Sequence, residues 1–142
     1  MASRNNINNN NNAIKKRDKI AKKNKILLVD DDSDTCLTFK KMLEEHGYDV
    51  DAFDKPQDAL QNYKADIYDL VVLDIKMPKI DGVKLYHEIR KIDKRVRVCF
   101  ITASQEYYTG RIPELMKEEE CFMQKPISVE NFVSRVDLAL AS

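Results

Sequence analysis

Asp74 closes the run Leu70-Val71-Val72-Leu73, and a carboxylate ending four consecutive apolar residues is the arrangement in this chain most able to do chemistry. Such a run reads as a strand buried on both faces, the pattern of a parallel sheet, and Pro78 with Asp81-Gly82 marks the turn after it. In open α/β sheets ligands bind at the carboxyl ends of the strands, which is where Asp74 stands. Its structural reading is a helix N-cap; the Met77-Pro78 pair delays any helix to about Val83 and disfavours that role. A second acidic group follows Ile26-Leu27-Leu28-Val29, which runs straight into Asp30-Asp31-Asp32-Ser33-Asp34. Adjacent acids behind a buried strand need neutralising. A hard divalent cation does this, and Mg²⁺ favours one or two carboxylates together with waters and a phosphate oxygen. Asp32 or Asp34 is expected to cap the next helix, a role assigned here to Asp34 with Ser33 as competitor.

Two further strand ends bring the complementary groups. The segment Val96-Arg97-Val98-Cys99-Phe100-Ile101 ends in Thr102, a hydroxyl, and Cys121-Phe122-Met123-Gln124 ends in Lys125-Pro126, an ammonium. An acid, a metal-binding acid pair, a hydroxyl and a lysine on four strand ends make a phosphoryl site. Phosphoryl transfer asks for positioning and charge neutralisation more than covalent machinery. Each signal is weak alone, since a Thr at a strand end is usually half-buried and a Lys-Pro is usually a turn. Their order and spacing carry the reading.

The elements between these residues alternate. A helix is predicted over 35–46 from Cys36, Phe39, Met42 and Leu43, ending at Gly47, and a strand over 48–53. Pro56 opens a helix to Tyr63; another spans 83–91 with Val83, Leu85, Tyr86 and Ile89 buried; the last spans 131–141 with Phe132, Val133, Val136 and Leu140 inward. Strands alternating with helices at this spacing imply a parallel sheet. Over 104–120, where a fourth helix belongs, Gly110 and Pro113 interrupt the pattern.

The motifs Leu28-Val29-Asp30-Asp31-Asp32, Val71-Val72-Leu73-Asp74-Ile75-Lys76-Met77-Pro78 with Asp81-Gly82, Ile101-Thr102-Ala103 and Lys125-Pro126 resemble the receiver domain of two-component response regulators, of the single-domain chemotaxis-regulator type. The resemblance runs from about Ile26 to Leu140. It implies a flavodoxin-like, doubly wound five-stranded parallel sheet of order 2-1-3-4-5 with helices on both faces. It also implies Asp74 as phospho-acceptor, and Mg²⁺ held by Asp30, Asp31, Asp74 and the Lys76 backbone carbonyl. Thr102 and Lys125 would hold the phosphoryl oxygens, with Thr102 and Phe122 as the switch pair. The implied partners are a histidine kinase or phosphotransfer protein and a downstream protein target. A phosphorylation-dependent homodimer is implied as well, although the interrupted fourth helix lies on the family's usual dimer surface.

At 142 residues and 43% apolar the chain can build one core. Residues 1–25 carry eight basic side chains against Asp18, a net +7, which leaves −7 for the remainder. An acidic body suits a metal- and phosphate-handling module better than a nucleic-acid binder. The expected division is an Asn-rich, basic, disordered arm over 1–24, read as a solvated tail, and a receiver over 25–142. Cys36, Cys99 and Cys121 are odd in number, widely spaced and embedded in apolar segments, the usage of a reducing compartment. With no signal peptide and no apolar run of membrane length, a cytoplasmic protein is expected.

The functional expectation is a phosphorylatable switch, not a metabolic enzyme, and no DNA-binding segment is read after Ser142. The chain is then a stand-alone receiver or a piece of a longer regulator. A competing reading is a haloacid-dehalogenase-like phosphatase, since Asp30-Asp31-Asp32-Ser33-Asp34-Thr35 resembles that family's nucleophile loop. It leaves Asp74 unexplained. A degenerate receiver acting only as a docking module would lack one of the acids, Thr102 or Lys125, and none is missing.

Overall fold

The structure is a computed structural model that describes residues 24–75, 77, 80–103 and 121–141. In chain order the elements are β1 (Lys25–Val29), α1 (Ser33–Glu45), β2 (Asp49–Phe53), α2 (Pro56–Asn62), β3 (Leu70–Asp74), α3 (Gly82–Ile92), β4 (Arg97–Thr102), β5 (Cys121–Gln124) and α4 (Val129–Ala141). The basic arm, the Lys76 carbonyl and the interruption expected over 104–120 lie outside the described residues.

Every strand pairing is parallel, and the order is β2-β1-β3-β4-β5, as the resemblance implied. The central strand β3 is buried along its whole length, which is why its sequence is a continuous apolar run rather than an alternation. Successive side chains of a strand point to opposite faces. Leu27, Val29, Val71, Leu73, Val98 and Phe100 accordingly build one core beneath α2 and α3. Ile26, Leu28, Leu70, Val72, Cys99 and Ile101 build a second beneath α1 and α4. Phe39 of α1 stacks on Phe132 of α4 at 4.3 Å between ring centroids, closing the second core.

Local signals set the helix limits. Asp32, not Asp34, caps α1: its carboxylate accepts from the Asp34 N–H at 3.0 Å and the Thr35 N–H at 3.2 Å, while Asp34 sits within the first turn. At the other end Gly47 takes φ +96°, with its N–H on the Glu44 carbonyl and the Tyr48 N–H on the Leu43 carbonyl, a Schellman ending that a Cβ would strain. Helix α3 begins at Gly82 with Asp81 as N-cap, accepting from the Lys84 N–H at 2.8 Å. Its buried set contains Val83, Leu85, Tyr86 and Ile89, as periodicity predicts. Met42, Val133 and Leu140, expected inward, are only partly buried at the margin of the second core.

Candidate phosphoryl-transfer site

Parallel pairing brings the ends of β1, β3, β4 and β5 to one edge, so Asp30, Asp74, Thr102 and Lys125 converge from positions far apart in sequence. Asp30 is fully buried. One of its carboxylate oxygens accepts from the Asp32 N–H at 3.0 Å and the other from Lys125 Nζ at 2.8 Å. Lys125 Nζ also lies 3.5 Å from Asp74 Oδ2. Burial by itself lowers a lysine's pKa, but the hydrogen bond it donates to Asp30 and the charges of Asp74 and Asp30 outweigh it and hold Lys125 above its ordinary value.

Asp74 is 5% exposed. Burial pushes its carboxyl up to about 7, and the charge of Asp30 pushes it the same way; Lys125 opposes the rise, and Asp31 adds to it by charge and hydrogen bond. Among the described residues the Lys125 ammonium therefore does not balance the acids around Asp74. Oxygens of Asp30, Asp31 and Asp74 lie within 4.8 Å of one another, Asp31 on the exposed side. Three oxygen donors, crowded and short of positive charge, fit a hard divalent cation such as Mg²⁺.

Thr102, 1% exposed, ends β4 beside Gln124 of β5, and its carbonyl accepts from the Lys125 N–H at 2.8 Å. Phe122 is inward, 7% exposed, stacked on Phe100 at 5.3 Å; Phe100 meets Tyr86 of α3 edge-on at 5.2 Å. Arg135 of α4 donates to the Phe122 carbonyl at 2.6 Å.

Gly82 supports the site in a way that sequence reading assigned only to a turn. A Cβ there would lie 2.3 Å from the Asp74 carbonyl oxygen and 2.8 Å from the Ile75 Cα, so α3 packs backbone against backbone behind Asp74. Its N–H donates to the Ile75 carbonyl at 2.7 Å. A glycine following an Asp cap hints at such an approach, but nothing in the sequence names the partner.

Residues 26–137 match the response regulator receiver domain family, and the chain belongs to it. It is 32% identical over 116 residues to the transcriptional regulatory protein PrrA of Mycobacterium leprae, covering 82% of this chain and 49% of that protein. The chain thus spans about half the length of that curated relative. The receiver domain of HemR from Leptospira biflexa superposes with a TM-score of 0.76 at 31% identity, over 84% of this chain and 96% of that one. The response regulator TrrA of Thermotoga maritima, solved in complex with Mg²⁺ and BeF, superposes with a TM-score of 0.68 at 29% identity, over 82% of this chain and 98% of that one. The protein is a receiver domain of two-component signalling, and the phosphatase reading is not supported. Among the described residues no helix is long and apolar enough to cross a membrane.

Proposed function

We propose that Asp74 accepts a phosphoryl group from the phosphohistidine of a histidine kinase or phosphotransfer protein and thereby switches a protein-binding surface. The observation that carries this reading is a buried carboxylate at the end of β3, 3.5 Å from Lys125 Nζ and clustered with Asp30 and Asp31. An Asp74 oxygen attacks phosphorus, the P–N bond to histidine breaks, and an acyl phosphate remains. A magnesium ion held by Asp30, Asp31 and Asp74, with the Lys76 carbonyl as a further ligand, would neutralise the charge of two approaching anions. Lys125 stands beside the acceptor to pair with the new phosphoryl oxygens, and Thr102, at the end of the neighbouring strand β4, would donate to them. Drawing Thr102 inward changes the space available to Phe122 and so couples charge to surface. That TrrA was solved in complex with Mg²⁺ and BeF supports a metal in this reading.

On this reading the chain is a cytoplasmic switch with no metabolic substrate, its receiver over 25–142 preceded by a basic arm. The test is incubation with Mg²⁺ and acetyl phosphate, which should add one base-labile phosphate of about 80 Da. Asp74→Asn should take up none, and labelling that persists at Asp30 or Asp32 would overturn the assignment.

A further inference from the structure

Two cysteines face each other across β4 and β5. Cys99 and Cys121 are direct register partners in a parallel pair, so their side chains leave the sheet on the same face, and both pack in the core beneath α1 and α4. Adjacent strands lie about 4.8 Å apart, inside the window of about 4.4–6.8 Å between Cα atoms that a disulfide spans. The two thiols differ in surroundings. Cys99 is fully buried, whereas Cys121, at the start of β5, is partly exposed. The Arg135 guanidinium lies 3.9 Å from the Cys121 sulfur, held there by its bond to the Phe122 carbonyl. A fixed cation beside a partly exposed sulfur is the setting in which cysteine reacts as thiolate.

We propose that Cys121 and Cys99 form a peroxide-sensitive dithiol, with Cys121 the attacking and Cys99 the resolving cysteine. The Cys121 sulfur attacks one oxygen of hydrogen peroxide; the O–O bond breaks, the sulfur is oxidised to a sulfenic acid, and the departing hydroxide takes the thiol proton as water. The Cys99 sulfur then attacks the Cys121 sulfur, the S–O bond breaks, and the leaving hydroxide takes the Cys99 proton as a second water. Two thiols and one peroxide thus become one disulfide and two waters. In a reducing compartment such a bond is transient and is reversed by thiol exchange. It would pin the start of β5 to β4 one residue from Phe122, which makes the surroundings of Phe122 responsive to oxidant as well as to phosphate.

The full chain, reduced and then exposed to hydrogen peroxide, is alkylated and mapped without reduction. A Cys99–Cys121 peptide should appear with a loss of two hydrogens, about 2 Da, while Cys36, buried on α1, stays a thiol. Cys99→Ala should leave Cys121 as a sulfenic acid trapped by dimedone. Arg135→Gln should slow oxidation of Cys121 several-fold, and Arg135→Lys should restore most of the rate. Should a variant fail to fold, the wild-type map decides: linkage through Cys36, or oxidised Cys121 beside an intact Cys99 thiol, overturns the proposal. An unchanged rate in folded Arg135→Gln overturns the role of the guanidinium.

Discussion

Asp74 and Asp93 are equally buried, each 5% exposed, yet the fold treats them in opposite ways. Asp93 follows α3 near the N-terminal edge of the sheet. Its carboxylate accepts from the Tyr63 hydroxyl at 2.8 Å and from the N–H groups of Val96 at 3.2 Å, Arg95 at 3.3 Å and Asp66 at 3.4 Å. Burial favours its neutral form, but these donors win and hold its pKa below the usual carboxylate range. At the C-terminal edge burial, reinforced by the charges of Asp30 and Asp31 and opposed by Lys125, raises the Asp74 pKa to about 7. Equal accessibility thus leaves two carboxylates with opposite shifts. The hydroxyl and N–H donors on Asp93, and the acids beside Asp74, set the two apart.

The largest contrast comes from the two Asn variants. Asp74→Asn should abolish acetyl phosphate labelling, whereas Asp93→Asn should keep it, read by intact mass; a labelled Asp74→Asn protein would remove the distinction. Asp93→Ala should cost about 2–4 kcal/mol in urea denaturation, because a buried hydroxyl and several N–H groups lose a charged acceptor. Gly82→Ala should cost about 1–3 kcal/mol by forcing α3 off the Asp74 backbone, and should slow labelling as well, linking support to chemistry. Asp31→Ala should weaken Mg²⁺ binding by about tenfold, measured by titration calorimetry, since the site loses one of its charged ligands. Without metal its melting temperature should hold or rise, because the substitution relieves repulsion; a clear fall would show Asp31 to be structural.

The smallest effect is on the pH dependence, and its sign separates the two acids. Between about pH 4 and 7 folded Asp74 binds a proton that the unfolded chain has released, so metal-free stability declines as pH rises across that window. Asp93 acts in the reverse sense: its stabilisation is complete above the ordinary carboxylate range and is lost as pH falls through its depressed folded value. Denaturant midpoints of Asp74→Asn should be flatter from pH 5 to 8 than those of wild type, and Mg²⁺ should restore the wild-type midpoint at pH 8. A wild-type curve already flat without metal would mean that the cluster is balanced without a metal ion.

Asp30, Asp74, Thr102 and Lys125 were legible because each ends an apolar strand, and parallel order carries such ends to one edge. The cap of α1 was not. Asp32, Ser33 and Asp34 are all competent caps, and the choice falls to Asp32, whose N–H is drawn to the Asp30 carboxylate as the chain leaves β1. Nor was Asp93, whose hydroxyl donor Tyr63 lies 30 residues away. Gly82 announced a turn, whereas its clash distances belong to the backbone of another element. What stayed hidden depends on partners remote in sequence, which periodicity and propensity do not encode.

The sheet also acts as a partition. Val72 and Leu73 are adjacent in the chain but belong to separate cores, as do Cys99 and Phe100. Lesions beneath α1 and α4 should therefore add to lesions beneath α2 and α3 rather than couple with them. In evolutionary terms the two faces can drift apart: a lineage can repack around Phe39 and Phe132 while the Phe100–Phe122 stack stays as it was. A suppressor of a destabilising core substitution is to be sought on the same face as the damage, however close in sequence the other face lies.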